Sequence, residues 1–122
     1  MVVVGILILV GLYFYTNKSK PVETSQTYQT PQVPQPMEVV VNYKSNSGFQ
    51  PQSYRVTEGQ QVVIKVTSDV ADELHFHGYD LHIDLEAGKE GQIAFIADKT
   101  GSFEFELETH KITLGEIQVY PK

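Results

Sequence analysis

Cysteine and tryptophan are absent from the 122 residues, and methionine occurs twice. Without cysteine there is no disulfide, no thiolate ligand for a metal and no sulfur nucleophile, although the redox compartment stays open. Basic residues are scarce: 9 Lys and Arg stand against 15 Asp and Glu, for a net charge of −6. One acid (Glu23) and two bases (Lys18 and Lys20) precede Met37, which leaves fourteen acids against seven bases from there to Lys122. No basic stripe exists to neutralise phosphates, so nucleic acid is excluded as a partner. Cations or basic partners suit such a surface, and so does plain solubility.

Long apolar runs are missing too, except for one. Residues 1–15, "MVVVGILILVGLYFY", carry no charge. As a helix they rise about 22 Å, short of the roughly 30 Å hydrocarbon core of a bilayer. No Ala-x-Ala-like cleavage site follows and no cysteine is present to take a lipid, so the run predicts an uncleaved N-terminal transmembrane helix. Lys18 and Lys20 follow the run and nothing basic precedes it, which by the positive-inside rule favours a cytoplasmic tail. An extracytoplasmic domain therefore carries the expectation that further basic residues precede residue 1. Residues 16–36, "TNKSKPVETSQTYQTPQVPQP", show no periodicity and read as a flexible Pro/Gln/Thr-rich tether.

From residue 37 to residue 122 the pattern changes to short apolar alternations broken by Gly, Pro, Asn and Asp every eight to twelve residues, the mark of an all-β sandwich or barrel. "MEVVVNYK" is a first strand. In "QVVIKVTS" Val62, Ile64 and Val66 face one way, and in "SFEFELE" Phe103, Phe105 and Leu107 face inward while Glu104, Glu106 and Glu108 face water. A strand "ELHFHGYDLHIDL" breaks at Gly78. The final strand, "EIQVY", follows a connection over residues 109–115, "THKITLG".

Three of the four histidines, His75, His77 and His82, fall within eight positions. In an extended segment His75 and His77 share one face, opposite Leu74 and Phe76, with Cα atoms about 6.5–7 Å apart, close enough for both imidazoles to reach one ion. Gly78 permits a bend that returns His82, and His110 stands about thirty residues on. The spacing leaves two readings open, a ligand set and an ordinary solvated strand face. Catalysis lacks support, since the serines lie in the linker and turns and none has a histidine partner nearby in sequence, so no enzyme is expected. Asp80, Asp84 and Glu86 form an acidic string without the spacing of a calcium loop. Tyr43, Tyr54 and Tyr79 suit strand packing or a rim.

The stretch over residues 48–120 resembles the cupredoxin family, Greek-key sandwich domains that include small blue copper proteins and the copper domain of cytochrome oxidase subunit II. "GFQP" with "VTEGQQVVIKV" is similar to the family's opening, and "DELHFHGYDL" to the strand bearing the upstream copper histidine. "AGKEGQIAFIADKTGSFEFEL" is similar to the turn and strand that feed the copper loop, and "THKITLGEIQV" to that loop and the closing strand. The resemblance implies a cupredoxin-like Greek-key β-sandwich, with the upstream histidine at His77 or His75 and the loop histidine at His110. It also implies that the copper cysteine is replaced by Leu107 and the axial methionine by Thr113 or Leu114. Blue copper and binuclear oxidase-type centres need thiolate, so electron transfer through either is excluded.

The remaining expectation is a membrane-anchored, extracytoplasmic (periplasmic or cell-surface) protein binding a divalent metal through His75, His77, His110 and His82. Glu108 or Asp80 are possible additions. Cu(II) comes first and Zn(II) second by the Irving–Williams order. A membrane protein or a copper-handling protein is the expected partner. The rival expectation is a metal-free interaction domain of a membrane-associated assembly.

Overall fold

A computed structural model describes residues 30–122. The apolar run of residues 1–15 and most of the tether lie outside the described residues. Residues 30–36 run without helix or strand into the first strand, exposed as far as residue 35 and half-buried at Pro36. Among the described residues no helix is long and apolar enough to cross a membrane.

Eight strands follow in chain order: β1 (Met37–Tyr43), β2 (Gln52–Thr57), β3 (Gln61–Ser68), β4 (Asp72–Phe76), β5 (Leu81–Leu85), β6 (Glu90–Ile96), β7 (Gly101–Leu107) and β8 (Ile112–Tyr120). They form a three-stranded sheet in the order β1-β3-β6 and a five-stranded sheet in the order β2-β8-β7-β4-β5. The β1–β3 and β2–β8 pairs are parallel, and the others antiparallel. Period-two alternation decides which residues enter the core. Val62, Ile64 and Val66 of β3 are fully buried, as are Leu74 and Phe76 of β4 and Phe105 and Leu107 of β7. His75 and the glutamates of β7 stand on the other side of the five-stranded sheet.

Two turns are fastened together at one end. Gly78 has a φ of 82°, which glycine adopts without penalty, and a Cβ there would lie 2.3 Å from Phe103 Cδ1. The next residue, Tyr79, stacks on Phe76 with ring centroids 5.0 Å apart. Its hydroxyl accepts the N–H of Lys99 at 3.1 Å and donates to the Lys99 carbonyl at 3.2 Å. Lys99 Nζ donates to the Gly78 carbonyl at 2.8 Å. The break predicted at Gly78 is thus a hairpin turn, and it sets His75 directly opposite His82 across the β4–β5 pair.

The predicted connection over residues 109–115 is shorter in the structure. Ile112 pairs with Leu107 and Thr113 with Glu106, so β8 already begins at Ile112. Phe105 then pairs with Gly115, and the skipped Leu114 marks a β-bulge. The bulge turns Leu114 inward, where it is fully buried. Packing of this apolar side chain, invisible to a period-two reading, lets the strand extend through a segment whose Thr and Gly suggest a loop.

Candidate metal centre

β4 and β7 are antiparallel neighbours in the five-stranded sheet, with Leu74 opposite Leu107, His75 opposite Glu106 and Phe76 opposite Phe105. The His77 N–H donates to the Glu104 carbonyl at 2.9 Å, which continues this pairing beyond the strand end. Because Leu74, Phe76, Phe105 and Leu107 fill the core, the alternate residues on both strands must share the outer face. His75 and His77 therefore meet Glu106 and Glu108. His75 Nδ1 lies 3.2 Å from Glu108 Oε2, and His77 Nε2 lies 3.0 Å from Glu106 Oε1.

One ligand atom from each of His75, His77, Glu106 and Glu108 lies within 4.8 Å of every other. The two imidazoles lie nearly face to face, with centroids 4.2 Å apart and planes inclined by 35°. Side-chain exposure runs from 16% at Glu106 and 24% at His75 to 37% at Glu108 and 46% at His77, so the cluster is open to solvent on one side. Hydrogen bonds from His75, Lys111 and Glu106 push the Glu108 carboxyl down to about 2, which keeps it anionic at neutral pH. Two imidazoles and two carboxylates make a nitrogen and oxygen donor set of the kind that suits Cu(II), whose preferred geometry is tetragonal, or Zn(II).

Neither His82 nor His110 belongs to this group. His82 faces His75 from β5, with ring centroids 6.4 Å apart in an edge-on arrangement. His110 is held elsewhere. Its Nδ1 bonds Asp72 Oδ2, and its backbone N–H donates to the same oxygen at 3.0 Å. Asp72 Oδ1 accepts the N–H of Thr109 at 2.8 Å and that of Glu73 at 2.6 Å. Asp72 points inward from β4, on the opposite side of the strand from His75. Burial acts to raise its pKa, but the bonds from the His110 ring and from the backbone of Thr109, Glu73 and His110 outweigh it. They hold the carboxyl well below the usual carboxylate range. His110, itself exposed, thus caps the buried Asp72 carboxylate in a clamp that closes the turn between β7 and β8.

Asp80 is exposed and adopts a left-handed φ of 54° in the β4–β5 turn. Leu107 and Leu114 are fully buried. Thr113 is half-buried, and its hydroxyl donates to Glu104 Oε1 at 3.2 Å. The positions that the resemblance gives to a copper cysteine and methionine therefore hold two buried leucines or a threonine, and no thiolate centre fits. Sequence reasoning missed Glu106 and Asp72. The signal for Glu106 was present in the matching two-residue periods of "HFH" and "EFELE", but the adjacency of those strands is a property of the topology.

A model of the cupredoxin-like domain family matches residues 5–119. The chain belongs to that family. Its fold is similar to a copper binding protein solved by NMR in the apo form, with a TM-score of 0.54 and 20% identity over 68% of this chain and 86% of that one. It is also similar to the copper nitrite reductase of Nitrosomonas europaea, with a TM-score of 0.58 and 21% identity over 72% of this chain and 42% of that one. A multicopper oxidase gives a TM-score of 0.55 and 15% identity over 72% and 45% of the two chains. The chain spans less than half of either enzyme, and at these identities the likeness is one of fold. A search of curated protein sequences gives no match.

Proposed function

We propose that this is a membrane-anchored, extracytoplasmic cupredoxin-like protein that binds a divalent metal, Cu(II) first and Zn(II) second. In this reading His75, His77, Glu106 and Glu108 are the ligands, and His82 is a neighbouring donor. The observation that carries it is the convergence of four donor atoms within 4.8 Å on the outer face of β4 and β7. Bound metal would be held by nitrogen and oxygen alone. The protein would act by binding and passing on the ion to a membrane or copper-handling partner, with no turnover of its own. The apolar run of residues 1–15 would hold it at the bilayer, and residues 16–36 would give the domain reach.

Cu(II) titration followed by electron paramagnetic resonance tests the reading. A one-to-one signal with coupling to two nitrogens supports it, and binding no tighter than that of a free histidine overturns it. Protease accessibility of the domain in intact cells and resistance to alkaline extraction test the anchor and its orientation.

A second reading, a metal-free interaction domain, has one observation in its favour. Each imidazole already has a carboxylate partner, so the cluster is satisfied without an ion. The same titration separates the two.

A further inference from the structure

Resting on the metal-binding reading above, we infer that the cluster retains copper only in the divalent state, and that one-electron reduction releases it. Cu(I) prefers soft sulfur ligands, and carboxylate oxygen suits hard cations. Met37 supplies the one sulfur atom among the described residues, and it sits on β1 in the other sheet. Leu107 and Leu114 are fully buried hydrocarbon. Nothing in or near the cluster offers the thioether or thiolate that would keep a reduced ion bound.

Imidazoles alone can hold Cu(I) when two nitrogens oppose each other along one line, about 4 Å apart if each bond is near 2 Å. His75 and His77 do not stand that way. Their ring centroids are 4.2 Å apart with planes inclined by 35°, whereas two rings whose nitrogens oppose each other about 4 Å apart would hold their centroids farther apart than that. That arrangement serves adjacent positions around a four-coordinate Cu(II) ion, with Glu106 and Glu108 supplying the others. It does not serve the opposed positions of a linear ion. The strands fix the backbone from which both rings project, because His75 pairs with Glu106 and the His77 N–H donates to the Glu104 carbonyl.

A small-molecule donor such as ascorbate gives one electron to Cu(II) and leaves as its radical. Cu(I) would dissociate, the proton that ascorbate loses would pass to solvent, and the neutral imidazoles would resume their hydrogen bonds to Glu106 and Glu108. With 46% of the His77 side chain exposed, a small reductant has direct access.

The test uses the full-length chain in detergent micelles, loaded with Cu(II) or with Zn(II). Each sample is treated with ascorbate under argon and desalted, and metal per protein is measured by atomic absorption. The expected result is a fall in copper of about tenfold or more on reduction, with zinc retained in the zinc-loaded sample after the same treatment. Copper that stays at its original stoichiometry after reduction overturns the inference. Failure to hold Cu(II) before any ascorbate is added overturns the metal-binding reading itself. The variant Glu106→Met places a thioether in the cluster and is expected to retain copper through reduction. If it releases copper as fully as the natural chain, the account from donor softness is overturned.

Discussion

Glu108 Oε2 sits 3.2 Å from His75 Nδ1, one diagonal step across the β4–β7 pair. His77 takes the same step to Glu106 at 3.0 Å. The repeated diagonal means that both contacts lean in one direction and that the four side chains form one group. An arriving cation exchanges these mutual partnerships for its own bonds.

Single substitutions separate the four-residue cluster from a site that includes His110. His75→Ala or His77→Ala is expected to weaken Cu(II) binding by at least about tenfold and to remove one nitrogen from the resonance pattern. His110→Ala is expected to leave both the affinity and the pattern unchanged, since its ring is engaged with Asp72. A loss of nitrogen coupling on His110→Ala would contradict the assignment.

Metal affinity is expected to depend on pH in one direction. Imidazole binds a metal only when neutral, so Cu(II) affinity should rise with pH from about 5 to about 8. Glu108, held down to about 2, stays anionic throughout this range and adds no step of its own. Competition titrations between about pH 5 and about pH 8 would show affinity increasing with pH. A profile that is flat across this interval would count against imidazole ligation.

The Asp72 clamp predicts a stability effect independent of metal. Asp72→Ala leaves the backbone N–H groups of Thr109 and His110 without their acceptor, and is expected to cost about 3 kcal/mol in urea unfolding with chelator present. Because the folded-state pKa of Asp72 is depressed, its contribution is complete above the ordinary carboxylate value of about 3.9 and fades as pH falls below it. The natural chain should therefore lose stability between pH 5 and 2, and Asp72→Asn should lose less over that interval.

Much of the body was legible in the residues. The alternation in "SFEFELE" puts Phe105 and Leu107 inside, and the "QVVIKVTS" face enters the core as its period requires. The face shared by His75 and His77 followed from Leu74 and Phe76 being apolar. The partners of that face were not legible, because which strand lies beside β4 depends on long-range pairing with no local signature. Asp72 carries no local signal of its role, since a buried aspartate is recognised only by the N–H groups that converge on it. The extent of β8 was hidden by its bulge, where Leu114 breaks the two-residue period.

Gly78→Ala tests the joined turns. A Cβ at this position would lie 2.3 Å from Phe103 Cδ1, and the left-handed φ of 82° adds strain of its own. The expected cost is about 2 kcal/mol or more, read as a lowered urea midpoint. Tolerance of alanine with an unchanged midpoint would mean that the turn bends differently from the one described.

The inward aim of Leu107 sets a limit on what the chain can be turned into. A sulfur atom introduced there would point into hydrocarbon, on the far side of β7 from the carboxylates of Glu106 and Glu108. Bringing it to the imidazoles would mean sliding the strand by one residue, which sends every glutamate of "EFELE" indoors and every apolar neighbour out. A sulfur ligand at position 107 is thus kept from the imidazoles by the parity of the backbone, and only the outward positions 106 and 108 could offer one.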